Sequence, residues 1–197
     1  YMDNMFNGCT SLTSAPTIPN SVTNMFNTFY GCTSLVTPPT IGTSVTNMWN
    51  TFNGCTSLTS APTIPNSVTD MTGTFEGCES LTSAPTIPSS VTSIDSYAFY
   101  KCNGINTVTV TECSYGADWA SNQSYDVVIL HDPQMEHDFI HYEYKEVNCT
   151  EDGNEEYWVC PDCNRIFSDE KGTQELQEAP VISHLYDEQT GNRGGDC

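Results

Sequence analysis

The stretch Gly-Cys-Thr-Ser-Leu-Thr-Ser-Ala-Pro-Thr-Ile-Pro-Asn-Ser-Val-Thr-Asn-Met-Phe-Asn-Thr-Phe-Tyr, residues 8–30, decides the fold, because close copies of it follow without a gap. The copies occupy residues 31–53, 54–76 and 77–100, and Cys102 begins another. We number the four stretches repeats 1 to 4. The same apolar residue types recur at the same positions of the repeat every 23 residues. This pattern predicts a solenoid, in which each coil buries its side chains against the next coil.

Five apolar positions form ladders along the repeats. The ladders are Met2, Met25, Met48, Met71 and Ile94; Phe6, Phe29, Phe52, Phe75 and Phe99; Leu12, Leu35, Leu58, Leu81 and Ile105; Ile18, Ile41, Ile64 and Ile87; and Val22, Val45, Val68 and Val91. Because one coil cannot bury these side chains alone, the ends of the stack need caps. Residues 107–111 alternate as a strand and suit a cap or exit segment. Tyr1 aligns with mid-repeat Asn24, so we expect a truncated first coil with further repeats upstream in a longer protein.

Residues 87–102, Ile-Pro-Ser-Ser-Val-Thr-Ser-Ile-Asp-Ser-Tyr-Ala-Phe-Tyr-Lys-Cys, resemble the unit of the BspA-like leucine-rich-repeat family of bacterial surface proteins. The resemblance covers residues 1–113. It implies a mainly β, right-handed leucine-rich-repeat solenoid of 23-residue coils, each with a short strand that begins at the Leu ladder. Every repeat places a Pro inside that strand, as at Pro39, and Pro cannot donate a ladder hydrogen bond. We therefore expect a bulge in every coil.

Charge divides the chain into two parts. The 25 Asp and Glu residues outnumber the 5 Lys and Arg residues, for a net charge of −20, and most of the excess lies after residue 110. Such an anionic surface repels nucleic-acid phosphates and acidic lipid headgroups, which excludes nucleic acid as a partner class. No apolar stretch is long enough to span a bilayer, so we expect no direct membrane insertion.

The repeats lack the residues of a catalytic centre. All four His residues lie after residue 130, so the many Ser and Thr hydroxyls have no imidazole base on the repeats, and we expect no enzyme activity there. Alternation leaves a hydroxyl-rich strand face, with Val36 as its apolar exception. The repeated Cys residues either pair as disulfides along the stack or serve as free, buried ladder residues.

Large aromatic residues stand at one position outside the ladders. Phe26 and Trp49 follow the Met ladder, where later repeats have Thr72 and Asp95. Two neighbouring aromatic side chains either form an exposed anchor for a partner or are covered by Tyr30 or by an upstream coil. Phe26, Trp49 and Tyr30 are the candidate partner-binding residues.

After the repeats we expect a closing strand and linker over residues 114–136, a small module over residues 137–186 and a disordered tail over residues 187–197. In the module, Cys160-Pro161-Asp162-Cys163 has the two-residue gap that lets both sulfurs face one metal ion, and strand-like Tyr157-Trp158-Val159 precedes it. A hairpin turn at residues 151–154 would bring Cys149 close.

A tetrahedral Zn²⁺ then needs a fourth ligand, which His184 or alternatively His137 supplies, and such a site would be structural. The competing interpretations are a disulfide between Cys149 and either Cys of the turn, or a redox-active C-x-x-C pair.

Cys149 to Gly153, Tyr157 to Cys163, Phe167 to Gly172 and His184 together resemble a small Cys/His, zinc-ribbon-like module common in surface proteins of Gram-positive bacteria. The resemblance covers residues 137–184. It implies copies that begin and end at a His, which is why both His residues are candidates.

We therefore predict a bacterial extracellular or cell-surface protein, monomeric and non-enzymatic, whose repeat surface binds a protein or host glycan in adhesion. The alternative is a structural spacer that displays another domain of a larger surface protein.

Overall fold

The computed structural model describes residues 1–111, 114–130, 139–146, 152–161, 165–170 and 174–182. The chain forms two compact units, Tyr1–Asp132 and Pro133–Cys197. The first unit holds the repeats, and it also takes in much of the segment that the sequence places between the two modules.

The repeats of the first unit stack coil on coil, as the ladders predict. The rings of Phe29, Phe52 and Phe75 are fully buried and lie nearly parallel, with 5.5–5.6 Å between neighbouring ring centroids. Main-chain hydrogen bonds join equivalent places in neighbouring coils, as in the 2.9 Å bond that Phe29 N donates to Thr51 O. The Met, Leu, Ile and Val ladders are buried from repeat 1 onward, apart from Leu12, which like Met2 and Phe6 is only partly buried.

The strands expected from the Leu ladder largely fail to form, and this expectation is wrong for repeats 1 to 3. In those repeats the segment that follows the ladder Leu shows one isolated bridge, between Ser14 and Thr37. A strand appears in this segment only in repeat 4, as β1, Thr86–Ile87. Pro39 and its equivalents supply no N–H there, which removes the bonds a regular ladder needs. Parallel bridges run instead through another segment, joining Asn24, Asn47, Asp70 and Ser93 in sequence.

A parallel sheet continues the stack beyond repeat 4. Strand β2, Thr107–Thr111, pairs with β1 in the register Thr86 to Thr109, which is one repeat length, and β3, Asp126–Leu130, pairs with β2 on its other side. The predictions of a strand at residues 107–111 and of a closing strand within residues 114–136 are confirmed.

A helix that the sequence did not predict, α1, Tyr115–Ser121, covers the end of the phenylalanine column. Ser114 caps it, since Ser114 Oγ accepts a 3.1 Å hydrogen bond from Ala117 N. Gly116 lies against Ile87, where a Cβ would come within 2.9 Å of Cγ2. Close packing requires this Gly. Among the described residues, no helix has the length and apolar character needed to cross a membrane.

The second unit is built from short antiparallel strands. One sheet has the order β4, Ile140–Tyr142; β6, Tyr157–Val159; β7, Ile166–Phe167; and β8, Glu175–Leu176. A separate pair joins β5, Gly153–Asn154, to β9, Val181–Ile182.

The predicted strand at Tyr157–Val159 is confirmed, whereas the predicted hairpin turn at residues 151–154 is wrong. Gly153 and Asn154 are strand residues because pairing with β9 satisfies their backbone, and a distant segment therefore overrides the local turn preference.

Candidate functional site

The structure brings Phe26 and Trp49 into contact on the surface of the first unit. Their ring centroids are 4.9 Å apart, with the planes inclined at 50°. Phe26 is half-buried, whereas the Trp49 side chain is 44% exposed and Tyr30, which ends the same turn as Phe26, is 41% exposed. We call Phe26, Tyr30 and Trp49 the aromatic patch.

Local turn chemistry places these rings on the outside. Asn24 Oδ1 accepts a 3.0 Å hydrogen bond from Phe26 N, and Asn47 Oδ1 accepts a 2.8 Å bond from Trp49 N. This Asx turn reverses the chain directly after the fully buried Met25 and Met48. The side chain that follows each Met consequently leaves the core.

The aromatic patch has rings at two positions where most other coils have polar residues. Equivalents of Trp49 are Thr72 in repeat 3 and Asp95 in repeat 4, while equivalents of Tyr30 are Asn53 in repeat 2, Glu76 in repeat 3 and the exposed Tyr100 in repeat 4. A coil does not need an aromatic side chain at either position in order to fold, since the coils with polar residues there stack in the same way.

Tyr30 leaves a buried oxygen without a partner. In repeat 2, Asn53 Nδ2 donates a 3.4 Å hydrogen bond to Asn50 Oδ1. Repeat 1 has Tyr30 at the position of Asn53 and therefore lacks this donor. Asn27 Oδ1, the equivalent acceptor, is buried and has no hydrogen-bond partner among the residues that the structure describes. An unsatisfied buried acceptor destabilises the fold by about 1–3 kcal/mol. Tyr30 is thus unfavourable for the local hydrogen bonding of its own coil.

Carboxylates lie on the same two ladders as Tyr30 and Trp49, each two coils beyond the aromatic residue of its own ladder. Glu76 occupies the Tyr30 position of repeat 3, and its Oε2 accepts a 2.9 Å hydrogen bond from Asn53 Nδ2. Asp95 occupies the Trp49 position of repeat 4, and its Oδ1 accepts a 3.0 Å bond from Gly73 N. Sequence reasoning did not single out Glu76; aligning the repeats at the Tyr30 position would have found it.

The hydroxyl-rich face expected from alternation is present and uncharged. Its predicted residues are all exposed: Thr13, Ser14, Thr17, Thr37, Thr40, Thr59, Ser60, Thr63, Thr82, Ser83 and Thr86. Val36 is exposed beside them, as predicted. An open cavity of about 410 Å³ lies between repeats 2 and 3, lined mainly by Pro and Thr residues such as Pro38, Pro62 and Thr63. This face offers apolar rings and hydroxyls and no titratable group.

The cysteine column of the repeats consists of free thiols, which agrees with the second of the two interpretations. Cys9 is exposed, while Cys32 to Cys102 are buried, and each buried thiol donates to a main-chain oxygen of the preceding coil, as Cys55 Sγ does to Phe29 O at 3.1 Å. Burial raises the pKa of Cys55 and of Cys102 to about 12 and also raises that of Cys78. A thiol that stays protonated is a poor nucleophile, so these residues are structural donors.

Of the predicted metal ligands, Cys160 is the one that the structure describes. It is fully buried directly after β6, and its N donates a 2.9 Å hydrogen bond to Arg165 O, which extends the pairing of β6 with β7. Cys149, Cys163, His184 and His137 lie outside the described residues. The described residues alone contain no group of three or more His, Cys, Asp or Glu side chains that could hold a metal ion.

Comparisons with known proteins agree with the stacked repeats. Residues 2–106 match the model of the BspA type leucine rich repeat region, in six copies. No curated protein matches the chain.

Two solved structures are similar. A leucine rich repeat protein of T. pallidum is 29% identical over 54% of this chain and 50% of its own, with a TM-score of 0.49. A leucine-rich repeat protein from Bacteroides ovatus ATCC 8483 is 24% identical over 65% of this chain and 39% of its own, with a TM-score of 0.50, and supports the fold alone. This chain therefore spans half or less of each relative.

Proposed function

This chain belongs to the BspA-type leucine-rich-repeat family, and on that premise we propose that it is a binding protein that holds a partner on the aromatic patch of repeats 1 and 2. Leucine-rich-repeat proteins are generally non-enzymatic and typically bind proteins, and members of this family are typically secreted or displayed on bacterial surfaces. We propose the same location, a role in adhesion to a protein or glycan, a right-handed solenoid for the repeats and a monomeric state for this chain.

One observation carries the proposal. Repeats 1 and 2 place the contacting rings of Phe26 and Trp49, with Trp49 exposed, at a position where repeats 3 and 4 have Thr72 and Asp95, although the stack does not require the rings. Tyr30 even leaves Asn27 Oδ1 unpaired. Exposed Trp and Tyr side chains are the residue types that contribute most affinity at protein interfaces, so a binding role explains a feature that folding does not.

The repeats themselves supply variants that remove the patch while keeping the fold. Trp49→Thr introduces the residue of repeat 3, and Tyr30→Asn introduces the residue of repeat 2 and a donor for Asn27 Oδ1. Val36→Thr is the matched control, because Val36 is as exposed as Trp49 but lies on the hydroxyl-rich face.

The test is retention of extracellular-matrix proteins and glycans from an array by the wild-type chain and these variants, with thermal unfolding recorded for each. We expect ligands that are retained by the wild type and by Val36→Thr to be lost by the Trp49→Thr, Tyr30→Asn double variant. Equal retention by all three chains contradicts the proposal and favours the spacer function.

We propose separately that Cys149, Cys160, Cys163 and His184, with His137 as the alternative to His184, bind one structural Zn²⁺. Thiolate and imidazole donors fit Zn²⁺, and the buried Cys160 stands at the closed end of a hairpin, the usual place of a zinc-binding C-x-x-C turn. The bound ion would tie short strands that have little core of their own.

Elemental analysis of the purified full chain tests this site. We expect about one zinc per chain in the wild type and in Cys9→Ser, whose thiol is exposed on the repeats, and none in Cys160→Ser. A wild-type chain without zinc that loses second-unit structure on reduction identifies the disulfide instead.

A further inference from the structure

We infer that the ligand of the aromatic patch is a polypeptide segment carrying Lys or Arg side chains. This inference rests on the proposed function of the patch and adds the chemistry of the partner.

Two carboxylates are fixed on the surface strip that carries the aromatic rings. Because equivalent positions stack coil over coil, Asp95 lies two coils from Trp49 on one ladder, and Glu76 lies two coils from Tyr30 on the other. Each carboxylate has one oxygen bound by a neighbouring coil, through Asn53 Nδ2 for Glu76 and Gly73 N for Asp95. These bonds hold the side chains in position, and the second oxygen of each adds acceptor capacity for a cationic donor.

Residues 1–100, which carry this strip, contain no basic side chain that could neutralise it. Residues 1–100 contain Asp3, Asp70, Glu76, Glu79 and Asp95 and not one Lys or Arg. The first basic residue is Lys101, and its Nζ lies 5.6 Å from the centre of the Tyr100 ring. The field at the patch is therefore negative, and Lys101 contacts Tyr100, which lies three coils from Tyr30 on its ladder.

An uncharged partner that covered the rings would take Glu76 and Asp95 out of water without replacing their hydration, which is unfavourable. In a peptide with several basic side chains, one guanidinium or ammonium group satisfies a carboxylate while another binds the face of Trp49, the aromatic side chain that attracts cations most strongly. Arg fits best, because its planar group is suited both to stacking on a ring and to donating to a carboxylate. Acidic polymers are repelled by the same charges.

The test uses fluorescence anisotropy of the full chain with labelled twelve-residue peptides of repeated Arg-Gly-Ser or Glu-Gly-Ser, at low and high salt, and with the neutral oligosaccharide cellohexaose. Glu76→Gln and Asp95→Asn remove a charge but keep the acceptor for Asn53 and Gly73. Glu79→Thr removes the same charge from an exposed position off the two ladders and restores the residue of the other repeats.

We expect the Arg peptide to bind and the Glu peptide not to bind, with affinity falling as salt rises. Glu76→Gln and Asp95→Asn should each weaken binding about two- to fivefold and Trp49→Thr about tenfold or more, with Glu79→Thr near wild type.

Equal weakening by Glu79→Thr and Glu76→Gln overturns the inference, because diffuse attraction to an acidic protein would then explain binding. Trp49-dependent binding of cellohexaose without binding of the Arg peptide also overturns it, while leaving the proposed function standing. Array retention that is insensitive to the patch variants instead contradicts the proposed function itself.

Discussion

Thr51 Oγ1 donates a 2.9 Å hydrogen bond to the main-chain oxygen of Met25, 26 residues earlier and one coil away. Thr28 and Thr74 make the equivalent bonds in the adjoining coils, and all three side chains are fully buried. Beside them runs the parallel column of Cys thiols, which also donate across a 26-residue separation. The interior of the stack is thus joined by side-chain donors as well as by apolar contacts.

Thr51→Val should destabilise the first unit by about 1–2 kcal/mol, because it keeps the shape of the side chain and removes a buried hydrogen bond. Thr59→Val is the matched control: its hydroxyl is exposed and makes only a 3.4 Å bond to Val36 O. We expect the control to change stability by less than about 0.5 kcal/mol. Urea unfolding monitored by circular dichroism measures both, and equal effects would show that the buried donor contributes nothing specific.

The sequence predicts the core of the first unit well, because each buried position recurs with the same type of residue in several repeats. Leu35, Leu58 and Leu81 are each fully buried, as their ladder predicts. The buried Thr positions were not predicted, because a Thr hydroxyl can be buried only where a carbonyl of the neighbouring coil accepts a hydrogen bond from it. The spacing of residues does not reveal where that carbonyl points.

The strands were wrongly predicted for a related reason. The resemblance implied strands at the Leu ladder, but Pro39 and its equivalents have no N–H to continue the bonds between coils, such as the 3.1 Å bond that Val36 N donates to Thr13 O. For the candidate site, the ladders placed Trp49 outside the buried positions but left open whether its ring is exposed or covered, and the structure shows it exposed. Its contact with Phe26 and the fixed Glu76 carboxylate required the side-chain geometry.

Lys101→Gly should stabilise the chain by about 1 kcal/mol. Lys101 has a φ of 63° at the position where Gly8, Gly31, Gly54 and Gly77 have φ angles of 68–74°. A non-Gly residue is strained in this left-handed region, and Gly relieves the strain. Lys101→Ala is the control, because it removes the contact with Tyr100 and keeps the strain. A melting temperature that rises in both variants, or in neither, contradicts the explanation by backbone strain.

Trp119→Ala should destabilise the first unit by about 3–5 kcal/mol, because it removes the large side chain that covers the end of the phenylalanine column. The Trp119 ring centroid lies 6.1 Å from that of Phe99, and its Nε1 donates a 3.1 Å hydrogen bond to Asp95 O. Trp119→Phe, which keeps a ring and loses this bond, should lie between the wild type and Trp119→Ala. Tyr115→Ala removes an exposed ring from the same helix and should have little effect in the same urea titration.

The buried thiols should make the first unit less stable in alkali. Burial raises the pKa of Cys55 and Cys102 from 9.0 to about 12, so the folded state keeps protons that the unfolded chain releases. Their stabilising contribution is complete below pH 9 and is lost as the pH rises from 9 towards 12. Each thiol lowers the free energy of unfolding by about 1.4 kcal/mol per pH unit in this window.

Cys55→Ser separates this effect from the titration of other groups, because a Ser hydroxyl can donate to Phe29 O but does not ionise in this range. Urea midpoints of the two chains, measured from pH 8 to pH 11, should converge as the pH rises. The wild type should lose about 1.4 kcal/mol more per pH unit than Cys55→Ser once the unfolded thiol ionises. Parallel curves would contradict this prediction, because they would mean that the Cys55 thiol ionises as easily in the folded state as in the unfolded chain.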